Sequence, residues 1–193
     1  MSLNLTKEST GDGIPVFQKF FELFTGGFSL TITGFNTGEI LPKGSLLKVD
    51  EAARTAVPIK TAKVVAGGGG TDDIIVESGH HFQVGDVIAL TVGAKAYTID
   101  GITATADGDI ISVATAIDTA TAGDVLFESS ANGATHAAYE TVANTLSFHD
   151  VMIESGATVT AIRRGTAFKN RIQAHTAGLI ADIPATVQLS QSY

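Results

Sequence analysis

Cysteine and tryptophan are both absent from these 193 residues, and proline occurs only four times. Without cysteine there can be no disulfide, no zinc-thiolate site and no thiol nucleophile. Such a chain must hold together by packing, by contacts between copies, or by both. Without tryptophan, and with aromatics at 7%, the stacking platforms of a glycosidase cleft are missing. Long hydrophobic runs are missing too. The apolar stretch from Ile14 to Phe24 is interrupted by Gln18, Lys19 and Glu22, so no membrane span is expected. Nor does the N-terminus show the basic-then-apolar pattern of a signal peptide. The expectation is synthesis in the cytoplasm, with no membrane partner. Basic residues are scarce: twelve Lys and Arg face twenty Asp and Glu, for a net charge of −8. That balance excludes general nucleic-acid binding, which needs clustered cations against phosphates.

What is present is abundant Ala, Val and Ile mixed with Thr and Gly, within a 44% hydrophobic composition. The mixture favours short strands and tight turns over long helices. A mainly β protein with short helices is the expected class, and its length allows one generous domain or two small ones. Charge divides the chain unevenly. Between Ala66 and Asp150 a single basic residue, Lys95, stands against twelve acidic ones, whereas the flanking segments carry net charges of +1 and +2. Gly67-Gly68-Gly69-Gly70 coincides with the first shift and reads as a linker. The organisation expected is therefore a flexible arm over residues 1–13, then a β-rich docking domain built from 14–66 and 151–193. An acidic β domain, 67–150, is inserted between its halves. An acidic middle facing solvent and ends that dock suggest an attachment protein.

Phe17, Phe20, Phe21 and Phe24 follow Pro15 at offsets of three, four and seven. That spacing predicts a helix with four rings on one face, started by Pro15 and stopped by Gly26-Gly27. The face either covers the local core or packs on a neighbouring subunit. Phe28, Leu30 and Ile32 alternate with polar residues and predict a half-buried strand. Gly44-Ser45-Leu46-Leu47, Gly85-Asp86-Val87-Ile88 and Gly123-Asp124-Val125-Leu126 repeat one phrase, a glycine turn feeding an apolar strand. Asp100-Gly101 and Asp107-Gly108 read as hairpin turns within a small meander. Ala157–Arg163 reads as a strand, Ala177–Asp182 as a short helix stopped by Pro184, and 186–193 as an extended tail.

Catalytic and metal chemistry finds little support in these residues. The four glycines are followed by Thr71-Asp72-Asp73 rather than Gly-Lys-Ser/Thr, and two carboxylates would repel a phosphate. His80-His81 lie near acidic residues, but neighbours on a strand point to opposite faces and do not readily share one ion. Asp107-Gly108-Asp109 lacks the further ligands of a calcium loop. No Gly-x-Ser-x-Gly elbow occurs. No catalytic group, metal ion or cofactor is expected.

The basic cluster is better founded. Arg163, Arg164, Lys169 and Arg171 fall within nine residues with no acid between them. They are either a solvated face or a surface that docks on an acidic partner, and Arg is a frequent anchor at interfaces.

The stretch from Arg163 to Ile172, then Ile183-Pro184 and the ending Leu189 to Tyr193, resembles small virion proteins of tailed bacteriophages. The nearest likeness is to head decoration and head fibre proteins of phages and prophages of Bacteroidetes, including crAss-like phages. Gly79 to Ile88, Ala122 to Leu126 and Leu41 to Val49 resemble the same family, so the likeness covers about Gly38 to Tyr193. It implies a non-enzymatic, β-rich auxiliary protein on the outer face of an icosahedral head, clamping major capsid subunits or carrying surface projections. The partner implied is the major capsid protein, and a homo-oligomer is expected. The interface residues expected are Phe17, Phe20, Phe21, Phe24, Arg163, Arg164, Lys169 and Arg171. The alternative is a head fibre or tail-associated module whose middle domain adheres to host surface glycans.

Overall fold

The computed structural model describes residues 15–67 and 72–191. The expected arm at 1–13 and most of the four-glycine linker lie outside the described residues. Sixteen strands follow in order: β1 (Phe17–Leu23), β2 (Phe28–Leu30), β3 (Ile40–Leu41), β4 (Leu46–Asp50), β5 (Thr55–Pro58), β6 (Thr61–Gly67), β7 (Asp73–Val76) and β8 (Val87–Ala89). Then come β9 (Ala96–Thr105), β10 (Gly108–Val113), β11 (Val125–Glu128), β12 (Thr145–Leu146), β13 (Val151–Met152), β14 (Thr158–Val159), β15 (Ile162–Phe168) and β16 (Val187–Ser190). Among the described residues the only helical piece is a 3₁₀ turn at Lys169–Arg171. The mainly β expectation holds, and both predicted helices are overturned.

Six strands close into a barrel in the order β10-β7-β6-β11-β8-β9. Its strands alternate as a half-buried sheet should: Ile74 and Val76 of β7, and Ile111 and Val113 of β10, point inward. Together with Val64, Ile88, Ile99 and Leu126 they form one apolar cluster. A barrel this narrow is filled by side chains, and closure leaves its strands without an open edge. The barrel strands run from Thr61 to Glu128, starting before the expected boundary at 67 and ending well before 150.

A hairpin does join β9 to β10, but its two-residue turn is Ala106-Asp107, and Gly108 already pairs with Thr105 as the first residue of β10. Asp100-Gly101 does not turn the chain; it lies inside β9, where the pairing with β10 slips between Ser112 and Val113. There glycine marks a bulge rather than a reversal. The three Gly-turn phrases do lead into β4, β8 and β11, and Gly44, Gly85 and Gly123 all take positive φ. In two of them the aspartate locks the turn. Asp86 Oδ2 accepts the Gln83 N–H at 2.7 Å, and Asp124 Oδ2 accepts the Thr121 N–H at 2.8 Å.

A five-stranded sheet, β12-β4-β5-β2-β14, and the short β13–β3 pair share a second cluster that includes Phe28, Leu41, Leu47 and Val159. Phe28 and Leu30 are buried while Ser29 is exposed, the alternation expected of β2. The two chain ends meet in a third sheet, β1-β15-β16, so the N- and C-terminal segments do fold together. One further cluster joins the layers: Phe127 at the barrel, Leu46 and Leu146 of the five-stranded sheet, and Ile162 and Val187 of the terminal sheet. Residues 177–182 form turns, not a helix, with i to i−3 bonds from Ala181 to Gly178 and from Ile183 to Ile180. Gly178 is pressed on Tyr139, whose hydroxyl an added Cβ would meet at 2.5 Å. That close approach overrides the weak local helical pattern.

Candidate docking surface

The Phe17–Phe24 segment is a strand along the edge of the terminal sheet. β1 runs antiparallel to β15, with Phe17 opposite Ala167, Lys19 opposite Thr166 and Phe20 opposite Gly165. The register slips between Phe17 and Lys19. That irregularity resets the alternation, which is why residues three apart share a face. Phe17 and Phe20 both pack on Phe148, with centroids 5.5 and 4.8 Å away. Phe21 stands between two cations instead: Lys19 Nζ lies 4.7 Å and the Arg164 guanidinium 5.4 Å from its ring centre. Phe24 turns inward to meet Phe28 at 5.3 Å. The predicted single face of four rings is thus three separate environments. Phe20 and Phe21 remain 54% and 57% exposed.

Gly165 is what lets β1 come this close. A Cβ there would stand 2.7 Å from the Lys19 carbonyl oxygen and 3.1 Å from Phe20 Cα. Nothing in the local sequence around Gly165 signals this, because the crowding atoms come from the other end of the chain.

The basic cluster also divides. Arg163 and Arg164 lie on β15 and are exposed. Arg163 Nη1 donates to Glu22 at 3.2 Å and its guanidinium sits 5.8 Å from the Phe24 ring centre. An ion pair this exposed contributes little stability. Together with Lys19, Phe21 and Thr186, these two arginines line an open groove of about 780 Å³ across the sheet. Arg171 is elsewhere: its Nη1 donates to the Pro15 carbonyl at 2.9 Å, and its guanidinium stacks 4.4 Å from the Phe168 ring. Its work is to hold the chain at the start of β1. Lys169 lines a different hollow with Lys63, Glu77 and His175. Burial pushes the His175 imidazole below 6.5, against the pull of its hydrogen bond to the Gln173 carbonyl. Sequence reasoning found Arg163 and Arg164 but missed Lys19, which reaches the same groove only through the pairing of β1 with β15.

The two adjacent histidines go to different carboxylates. His80 Nε2 lies 3.4 Å from Asp109 Oδ2, and His81 Nδ1 lies 2.9 Å from Glu39 Oε2. Burial lowers the His80 pKa, and Asp109 offsets part of that shift. Burial works to raise the Glu39 pKa, but hydrogen bonds from His81 and Asn36 outweigh it and leave it lowered. Among the described residues no group of three or more His, Asp or Glu is placed to hold a metal ion. No helix among them is long and apolar enough to cross a membrane.

Chemically, the terminal sheet offers an exposed aromatic ring, Phe21, flanked by cations, an arrangement that binds acidic and apolar surface together. Comparison with protein families, with curated proteins and with solved structures finds no match to this chain.

Proposed function

We propose that this protein is a non-enzymatic virion component that binds the outer surface of a tailed-phage head as a decoration or auxiliary capsid protein, with the major capsid protein as its partner. The observation that carries the reading is the outer face of the terminal sheet. There Phe21 stays exposed beside Lys19, Arg163 and Arg164, while the acidic charge is concentrated in the middle of the chain. The resemblance of Arg163 to Ile172 to head proteins falls on the same strand and the turn after it. An acidic barrel directed outward would keep a particle covered in copies soluble, because like charges repel. On a shell, many symmetry-related contacts of modest strength add up through multivalency.

Occupancy on purified heads tests the reading. The pair Arg163→Ala and Arg164→Ala should reduce the number of copies bound at low salt, and the difference from the unaltered chain should narrow as salt is raised. Lys169→Ala should leave occupancy near that of the unaltered chain, because this side chain faces a different hollow. Equal occupancy for the double arginine variant and the unaltered protein would remove the terminal sheet from the argument. Antibody labelling confined to the tail, in place of labelling spread over the head, would replace decoration with adhesion.

A further inference from the structure

One cation is treated unlike all the others. The Lys60 side chain, at the junction of β5 and β6, is only 3% exposed. Its Nζ lies 2.7 Å from Asp86 Oδ2 and 3.2 Å from Glu128 Oε1. The remaining Lys and Arg ion pairs among the described residues are all exposed. The group assembles at one end of three neighbouring barrel strands: Lys60 immediately precedes β6, Asp86 immediately precedes β8, and Glu128 ends β11, which pairs with both. The Phe35 ring covers the ammonium at 5.2 Å, and Gly34 sits so close that a Cβ there would meet Nζ at 3.3 Å.

We propose that Lys60 and Asp86 join in an intramolecular amide bond, with Glu128 carrying the proton. The ammonium gives a proton to the Glu128 carboxylate. As Glu128 passes that proton on to an Asp86 oxygen and makes the carboxyl neutral, the freed Nζ lone pair attacks Asp86 Cγ, the carbon that bears the oxygen 2.7 Å away. The tetrahedral adduct collapses as the protonated oxygen departs, taking a second proton from the nitrogen by way of Glu128. Ammonium and carboxylate thereby become one amide and one water, with no oxidant or further reagent. Three physical features favour the step. Fixed proximity replaces an encounter between separate groups. Burial raises the proton affinity of Glu128, suiting it to shuttle a proton. The ionised trio also holds two negative charges against one positive in a poorly solvated place, and a neutral amide removes the costly pair. Lysine amines are good nucleophiles once deprotonated in such surroundings. The bond would tie the start of β6 to the turn before β8 in a chain that has no cysteine to do so.

Intact mass spectrometry of the denatured full chain is the test. The expected mass is below that of the sequence by one water, about 18 Da. Asp-Gly steps can also lose water, so the bond is located by tryptic digestion. The expected product is a branched peptide joining residues 55–63 to 64–95, uncut at Lys60. Asp86→Ala and Lys60→Arg should both show the full sequence mass. Asp86→Asn should instead lose ammonia, because the leaving group has changed. Glu128→Gln should remain linear; complete bonding in that variant would overturn the role given to Glu128. Full sequence mass in the unaltered protein, or a water loss mapping away from Lys60, would overturn the proposal itself. None of these outcomes depends on the head-binding reading.

Discussion

Replacing Gly165 by alanine is expected to loosen β1 without altering a single charge. The new Cβ would lie 2.7 Å from both the Lys19 carbonyl oxygen and Ile162 Cδ1, and 3.1 Å from Phe20 Cα. The Ile162 methyl can rotate aside, but the β1 backbone cannot. Restoring an ordinary contact near 3.4 Å requires β1 to retreat by roughly 0.7 Å, which stretches its pairing with β15. Overpacking of this kind costs about 1–3 kcal/mol. β1 has little burial with which to resist: its two ends are half-buried and the residues between are exposed. The strain is therefore released by local opening of the strand, not by unfolding of the barrel. At 298 K the opened population should rise about 5- to 150-fold. Native-state hydrogen exchange reads this directly, as faster exchange in β1 with unchanged protection in β10. Head occupancy should fall as well, because Phe20, Phe21 and Lys19 lose their fixed places. Unchanged β1 protection in Gly165→Ala would refute the claim that this close approach seats the strand.

Three further outcomes are expected. Phe148→Ala removes the ring beneath Phe17 and Phe20 and should cost about 2–3 kcal/mol in denaturant unfolding, less than a fully buried ring because Phe148 is only half-buried. Measured against Lys60→Arg, which keeps a cation but cannot form the amide, Lys60→Met leaves Asp86 and Glu128 without one and should be less stable by roughly 2–4 kcal/mol at neutral pH. The loss should shrink on mild acidification, because Glu128, already raised above 4.5 by burial, then takes up a proton; a loss that grows instead would contradict this account. The third concerns His80 and His175, whose folded pKa values are held below 6.5, chiefly by burial. Below 6.5 the unfolded chain binds more protons than the folded one, so stability present above that value is lost as pH falls. The double variant His80→Gln and His175→Gln should flatten the fall in unfolding free energy between about pH 7 and pH 5.5, and an unchanged slope would count against it.

The groove on the terminal sheet was legible only in part. Arg163 and Arg164 stand out in any sequence reading as adjacent cations without nearby acids, and both prove exposed on β15. Lys169 and Arg171 belong to the same run, yet the 3₁₀ turn that follows β15 sends them elsewhere. The four phenylalanines matched a helical spacing, but spacing alone does not tell a helix from a strand carrying a bulge. The slip between Phe17 and Lys19 produces the same three-residue recurrence on a strand face. Asp-Gly likewise carries no context: at 107–108 it straddles the end of a hairpin turn and the start of β10, and at 100–101 it lies within a long strand where the pairing slips.

By itself the sequence determined the β character, through its Val, Ile and Thr content and its glycine-led strands. It also determined the concentration of acid in the middle of the chain and the turns locked by Asp86 and Asp124. These depend on residues within three or four positions of one another, where local sterics and hydrogen bonding decide. Tertiary structure alone decided that six strands close into a barrel and that the chain ends share one sheet. It alone placed Gly165 under Lys19, and Lys60 beside partners 26 and 68 residues away. Strand pairing between distant segments is selected by which arrangement buries the apolar faces and leaves the fewest open edges, and that choice is made by the whole chain at once.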